Sequence, residues 1–158
     1  MNTDQKREEL HEKFFAEMQD TFFFQIHRIQ KMVFRKGNQI FQDEKIPLHL
    51  EQFPILLTAY AMDGMSQTEI AEITHRDKSS VLRTLATLQR KGLLTIQQDA
   101  SDKRRNMVYL TDAGKFLANR IKQLMKRAEQ ETFAALTDEE RTIAIYNMKE
   151  VADKLEKA

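Results

Sequence analysis

The sequence predicts a mainly α-helical fold with one small β-hairpin. Its 158 residues include only four glycines and two prolines, so few positions interrupt helices. Apolar residues recur every three or four positions over most of the chain, which is helical spacing. The exception is residues 93–110, where two runs of strand-type composition flank a polar, turn-rich segment. A chain of this length can bury a hydrophobic core as one domain.

The N-terminal region predicts one long helix from about Asp4 to Gln39. Its apolar side chains cover more than one helix face, since Phe15, Phe23 and Phe24 widen the stripe. A helix with so wide an apolar surface cannot bury it against a small domain alone. We therefore expect this surface to be buried between two copies of the chain.

Three shorter helices are predicted next. The first runs from about Leu50 to Met62. The segment Ser66-Gln67-Thr68-Glu69 is a capping box, which opens a short helix that ends near Thr74. Asp77 is a good N-cap for a helix that extends to about Lys91, with Gly92 as its C-terminal cap.

The character of the sequence changes after this point. Residues 93–96 and 107–110 have strand-type composition, and the polar segment 97–106 between them predicts a β-hairpin with a charged tip. Thr111-Asp112 then begins a helix that runs to about Ala135. A second capping box, Thr137-Asp138-Glu139-Glu140, opens the last helix.

Charge is distributed unevenly along the chain, although the formal net charge is only +1. Residues 76–105 contain eight basic and three acidic residues, a net of +5, so the rest of the chain carries −4. This asymmetry indicates a surface that faces a polyanion. Charge alone leaves open the alternative of a merely solvated basic face.

Two short helices joined by a tight turn and followed by a basic hairpin describe a winged helix-turn-helix. The helix over 77–91 is slim enough for the major groove of DNA, and the hairpin over 97–107 can reach an adjacent minor groove. For Ser66 the alternative is that it only caps a helix. Thr87 lies deeper along its helix, where the alternative is that it touches only phosphate or solvent. The predicted DNA-contact residues are Ser66, Gln67, Thr68, Arg76, Lys78, Ser79, Ser80, Arg83, Thr84, Thr87, Asp102, Lys103, Arg104 and Arg105.

Residues 99–114 resemble the wing signature of MarR-type (multiple antibiotic resistance) regulators. That signature reads Asp-Pro-x-Asp-x-Arg, a short strand, and then Leu-Thr-x-x-Gly. Residues 88–94 are similar to the family's Leu-x-x-Lys-Gly-Leu-Val, and residues 50–56 resemble the opening of its second helix. The sequence departs from the pattern at Ala100, where proline is usual, and at Ile96, where an arginine is frequent.

The resemblance implies a fold and an assembly. The fold is a mainly α winged helix-turn-helix core with a small β-wing, flanked by terminal dimerisation helices. It forms a single domain of residues 1–158, in which residues 1–45 and 112–158 supply those helices and residues 46–111 form the DNA-binding lobe. Homodimers place one lobe on each half of a near-palindromic operator in double-stranded DNA. The predicted dimerisation residues are Phe15, Phe22, Ile26, Met148, Val151 and Leu155.

The resemblance also assigns roles in the wing and in regulation. Arg104 corresponds to the wing-tip arginine, and Asp102 to the carboxylate that orients it through a charge-assisted hydrogen bond. We expect a repressor that a small aromatic or amphipathic ligand releases from DNA, although no residue identifies such a ligand and activation stays open. The alternative from another class is a winged-helix module that binds an acidic protein partner.

Several other classes of function are disfavoured by the sequence. The absence of cysteine excludes disulfides, Cys-ligated zinc and thiol sensing. The four histidines are scattered, so we expect neither a metal nor a cofactor. No nucleophile–base pair or Gly-rich phosphate loop supports an enzyme. With no run of about 18 apolar residues and a polar N-terminal segment, we expect a cytoplasmic protein without a membrane span or signal peptide.

Overall fold

The computed structural model of the chain describes Arg7 and residues 13–157. The described residues fall into two compact units, one that ends at Pro54 and one that begins at Ile55. The predicted start of the first helix, at Asp4, lies outside the described residues.

Among the described residues from 13 to the linker, the first unit contains two helices rather than the single one predicted. Residues 13–19 are helical (α1), and α2 spans Phe22–Asp43. The break lies at Thr21, whose amide and hydroxyl both donate to the carbonyl oxygen of Met18, at 2.9 and 2.8 Å. The same hydroxyl accepts from the amide of Phe24 and so caps α2. The prediction of one continuous helix was therefore wrong, because a threonine hydroxyl competes with the helical backbone pattern.

Close packing in the first unit occurs where α2 meets the 3₁₀ helix Leu50–Gln52. Gly37 and Phe41 are the buried residues of α2. A Cβ at Gly37 would lie 2.6 Å from a methyl carbon of Leu50, so a larger residue there would require the Leu50 side chain to shift. Phe41 meets Phe53 edge to face, with ring centroids 6.3 Å apart.

The remaining elements confirm a mainly α fold with a small β-wing. The predicted helix starts at Gln67, Lys78, Asp112 and Asp138 are correct, because their caps are local signals. The elements are α3 Phe53–Ala61, β1 Met65–Ser66, α4 Gln67–Ile73, α5 Lys78–Arg90, β2 Leu94–Gln98, β3 Asn106–Leu110, α6 Asp112–Thr132 and α7 Asp138–Glu156.

The three strands form one antiparallel sheet in the order β1-β3-β2. The hairpin pairs Leu94 with Leu110 and Gln98 with Asn106. The two-residue strand β1, which was not predicted, places Met65 opposite Val108. It anchors the inner edge of the hairpin to the residues immediately before α4.

We call residues 55–110, from within α3 to the end of β3, the winged-helix lobe. Its core apolar side chains are buried within the single chain, where dispersion contacts and exclusion from water stabilise them. The largest fully buried side chains of the lobe are Ile55, Leu56, Ile70, Val81, Leu85, Leu88, Leu94 and Val108.

Helix α6 begins in tight contact with the start of the hairpin. Thr111 donates through its amide to the carbonyl oxygen of Leu93 and through its hydroxyl to that of Gly92, at 3.1 and 2.7 Å. A Cβ at Gly114 would overlap the Leu93 carbonyl oxygen. The glycine of the Leu-Thr-x-x-Gly segment is therefore required for packing, because only glycine lets the first turn of α6 approach this backbone.

Helices α2 and α7 each leave large apolar side chains uncovered. Phe22 is 67% exposed in α2, and Met148 and Leu155 are 57% and 59% exposed in α7. None of the residues of α7 is buried, and Val151 is half-buried. Of the other predicted dimerisation residues, Phe15 in α1 and Ile26 in α2 are also exposed.

Candidate nucleic-acid interface

Helix α5 presents one polar face and one buried face. Asp77 caps its start by accepting from the amide of Ser80 at 2.8 Å. Lys78, Ser79 and Arg83 are exposed, and Ser80 and Thr84 are half-buried. The opposite face, with Val81, Leu85 and Leu88, is packed into the lobe. The amphipathic arrangement predicted from the sequence is therefore present.

The last turn of α5 uses its polar groups within the helix. The Thr87 hydroxyl donates to the carbonyl oxygen of Arg83 at 3.0 Å and accepts from Arg90 Nη2 at 3.1 Å. Thr87 is consequently less available for an outside partner than Arg83. Arg76, in the turn before α5, is half-buried and donates through its amide to the carbonyl oxygen of Ala71.

The start of α4 is a reciprocal capping box. The Ser66 hydroxyl accepts from the amide of Glu69 at 3.3 Å, and the amide of Ser66 donates to Glu69 Oε2 at 2.8 Å. Ser66 is buried, with 5% of its surface exposed. These bonds from Ser66, aided by Arg105, hold the pKa of Glu69 below its usual value. Ser66 thus acts as a cap, while Gln67 and Thr68 are more exposed.

The wing tip is shaped by two aspartates. Asp99 Oδ1 accepts from the amide and the hydroxyl of Ser101, at 2.7 and 2.6 Å, and these bonds lower the pKa of Asp99. Asp102 Oδ1 accepts from the main-chain amide of Arg104 at 3.0 Å. The charge-assisted hydrogen bond expected of Asp102 therefore reaches the backbone of Arg104 and fixes the turn. The turn built by Asp99 orders the wing at Ala100, where the family pattern has proline.

Arg105 makes an ion pair that the sequence did not reveal. Its Nη2 lies 3.2 Å from Oε2 and 3.3 Å from Oε1 of Glu69, across 36 residues of sequence. Both side chains are about half exposed. No local pattern signals this contact, because it depends on how the hairpin folds back toward α4.

A groove of about 500 Å³ lies between the start of α4, the start of α5 and the wing. It brings together six of the predicted DNA-contact residues. Leu82 and Asn106 were not predicted here, and Leu82, expected to flank the core, is 40% exposed. The lining residues are Ser66, Gln67, Thr68, Lys78, Leu82, Arg104, Arg105 and Asn106. The charged members are all basic, so the groove suits an anionic partner.

The remaining predicted contacts lie outside this groove. Ser79, Ser80, Arg83, Thr84 and Thr87 belong to α5, and Arg76 to the turn before it. Asp102 and Lys103 lie at the wing tip, where both side chains are exposed.

The model of the MarR family matches residues 48–105, which include the whole helix-turn-helix and the wing tip. Over these residues the chain is similar to the MarR family. It is 33% identical over 86 residues to a Thauera aromatica protein named as a transcriptional regulatory protein for the hcr operon. That match covers 54% of this chain and about half, 52%, of the relative.

Two solved structures are similar in fold to most of the chain. The structure of a Staphylococcus aureus MepR–DNA complex is similar with a TM-score of 0.78 and 28% identity, covering 85% of this chain and 98% of MepR. The PcaV regulator from Streptomyces coelicolor, in complex with its natural ligand, has a TM-score of 0.74. It is 23% identical and covers 86% of this chain and 94% of PcaV, which shows the shared fold.

A second ion pair ties the base of the wing to α6. Asp63 Oδ1 accepts from the amide of Leu110 at 3.1 Å, and its Oδ2 lies 3.0 Å from Lys115 Nζ. The hydrogen bond from Lys115 lowers the pKa of Asp63, and the same contact raises the pKa of Lys115. Asp63 was not singled out from the sequence, because its partners lie 47 and 52 residues away along the chain.

Among Arg7 and residues 13–157, no three His, Asp or Glu side chains converge as a metal ion would require. Within the same residues, none of the helices combines the length and the apolar character needed to cross a bilayer.

Proposed function

We propose that the chain is a homodimeric transcriptional regulator that binds double-stranded DNA. The observation that carries the proposal is the basic groove, which unites the start of α4, the start of α5 and the wing. A surface with three basic and no acidic lining residues is suited to phosphates. Beside the groove, the exposed face of α5 has the dimensions that fit the major groove.

The proposed contacts divide by chemistry. Arg83 is the candidate for guanine O6 and N7, because it is exposed on the middle of α5 and carries the forked donor that this pair requires. Contacts to phosphates and further bases come from the polar residues around it, and Arg104 and Lys103 enter the minor groove. Ser66 is left out of the contact set because it is buried and its side chain caps α4. The supporting contacts are Gln67, Thr68, Arg76, Lys78, Ser79, Ser80, Thr84 and Thr87.

The proposed dimer rests on the uncovered apolar faces of α2 and α7. Association of two copies would remove these faces from water, at a gain of roughly 25 cal/mol per Å² of apolar area. Two lobes in one dimer would then contact half-sites about 10 bp apart on a near-palindromic operator. Repression, release by a small aromatic or amphipathic ligand, and the cytoplasmic location stay predictions.

Binding of the purified protein to DNA from upstream of its own gene tests the proposal. We expect fluorescence anisotropy to show tighter binding than to an unrelated duplex, and a loss of affinity by about 10³–10⁵ between 50 and 200 mM salt for 6–10 phosphate contacts. Arg104→Ala should weaken binding to both duplexes. Arg83→Ala should also relax base preference at one position, by about 1–3 kcal/mol.

Lys122→Ala is the matched control, because it removes one exposed positive charge from α6 outside the groove. It should leave both affinities unchanged. Absence of salt-sensitive DNA binding by the wild-type protein would contradict the proposal. It would favour the alternative module that binds an acidic protein.

A further inference from the structure

We propose that Glu69 limits the sequence-independent affinity for DNA by holding Arg105 away from the DNA backbone, so that of the two adjacent wing arginines only Arg104 contacts DNA. Glu69 acts as a positioning residue, since it works through Arg105 and does not itself bind DNA. This inference rests on the proposed function and deepens it.

The acceptor of the ion pair is fixed before Arg105 reaches it. Glu69 Oε2 accepts from the amide of Ser66 at 2.8 Å as part of the capping box of α4. The carboxylate therefore has already lost much of the rotational freedom that an exposed ion pair must otherwise restrict. An acceptor placed in advance favours the pair over a freely moving phosphate.

The donor is fixed as well, because the backbone of Arg105 is held on both sides. Its amide donates to the carbonyl oxygen of Asp102 at 2.9 Å, and its carbonyl oxygen accepts from the amide of Asp99 at 3.0 Å. Arg105 Nη2 then donates to both carboxylate oxygens of Glu69, at 3.2 and 3.3 Å. The pair thereby connects the wing to α4.

The neighbouring arginine differs in a way that matters for DNA. Arg104 lines the same groove and is exposed, and Asp102 bonds to its backbone amide. Arg104 thus presents a full positive charge to the groove, whereas the Arg105–Glu69 pair presents a charge near zero. Only an uncompensated cation displaces counterions from DNA. Of the two wing arginines, therefore, only Arg104 should add to the salt dependence of binding.

Restraint of Arg105 has a consequence for the overall affinity for DNA. Phosphate contacts strengthen binding to every sequence alike, while base contacts distinguish one sequence from another. By keeping Arg105 from phosphate, Glu69 therefore lowers the affinity for every duplex by the same factor. Removing the charge of Glu69 would release Arg105 to the backbone and tighten binding to both duplexes without changing the ratio of their affinities.

The experiment measures the slope of log affinity against log salt concentration for four variants on two duplexes, the upstream DNA and an unrelated one. Arg104→Gln should make the slope shallower by about 0.9, because one cation that neutralises phosphate charge is lost. Arg105→Gln should leave it unchanged. Glu69→Gln should steepen it by about 0.9 and raise the affinities for the two duplexes by the same factor.

Glu69→Gln is a matched change, because glutamine also serves at the third position of a capping box and so preserves the start of α4. The double variant Glu69→Gln with Arg105→Gln should return the slope to the wild-type value, since the released arginine is then gone. Circular dichroism melts that match the wild type show that the variants are folded.

The inference is overturned if Arg105→Gln makes the slope as shallow as Arg104→Gln does. It is also overturned if Glu69→Gln leaves the slope and both affinities unchanged. In both cases the wild type still binds DNA, so the proposed function stands. A wild-type protein without salt-dependent DNA binding would instead contradict the proposed function, and this inference with it.

Discussion

The winged-helix lobe and helix α2 bury their apolar residues in different ways. In the lobe, Ile70, Val81 and Leu85 have no exposed surface within one chain. In α2, by contrast, Phe22 and Phe23 are 67% and 75% exposed. Helix α2 has a wide apolar face, as a helix in a protein core does. The described part of a single chain leaves much of this face exposed.

This difference separates two requirements of the proposed regulator. The lobe completes its core alone, so each copy can hold α5 and the wing in a fixed arrangement. In the proposed dimer, the uncovered face of α2 is instead buried against a second copy of the chain. That association would set the spacing between the two lobes. Helix α7 belongs with α2 in this respect, since none of its residues is buried.

The largest expected effect is on the stability of the winged-helix lobe. Leu85→Ala should lower the free energy of unfolding by about 2–5 kcal/mol, because it leaves a cavity in a core that one chain already packs. Chemical denaturation followed by circular dichroism, at one protein concentration, measures the change. A loss below about 1 kcal/mol would mean that the lobe core is less tightly packed than its burial indicates.

A smaller effect is expected on α2, and on a different quantity. Phe22→Ala should weaken self-association by about 10–100-fold, corresponding to the roughly 1.5–3 kcal/mol of burying one such side chain. Sedimentation velocity over a range of concentrations measures it. Ile73→Ala, on an exposed apolar residue of α4, is the control and should leave association unchanged. Equal effects of both changes would remove the distinction between α2 and the lobe.

The smallest effect concerns the connection between the lobe and α6. The pKa of Asp63 is lowered by Lys115, so the folded state favours the ionised carboxylate. Its stabilisation is fully present above the usual pKa of aspartate and is lost as the pH falls through the lowered value. Asp63→Asn should therefore cost less than about 1 kcal/mol at neutral pH, and less still in acid.

Denaturation of the wild type and of Asp63→Asn across this pH range measures that difference. A difference that grows as the pH falls would contradict the role assigned to Asp63, because protonation should make the two proteins alike.

The sequence predicted those parts of the fold whose signals are local. Ser66, Asp77 and Thr137 begin helices where expected, since each cap depends on the three residues that follow it. The basic face of α5 and the charged hairpin were likewise predictable from spacing and composition. Of the six predicted residues in the groove, only Ser66 turned out to be buried.

Features that depend on distant contacts were not predictable in this way. Strand β1 is two residues long and exists only because it pairs with β3. The contact between Glu69 and Arg105 requires the hairpin to fold back over 36 residues. The break at Thr21 is local, but the apolar stripe continues across it, so periodicity alone favoured an unbroken helix.

The number of chains bound to one DNA duplex tests the central claim most directly, because it combines the self-contained lobe with the incomplete α2. Sedimentation of the protein with labelled DNA from upstream of its own gene should give two chains per duplex, with no complex of one chain at intermediate concentrations. Phe22→Ala should shift this binding to higher protein concentration. A stable complex of one chain per duplex, with wild-type affinity retained by Phe22→Ala, would contradict the account.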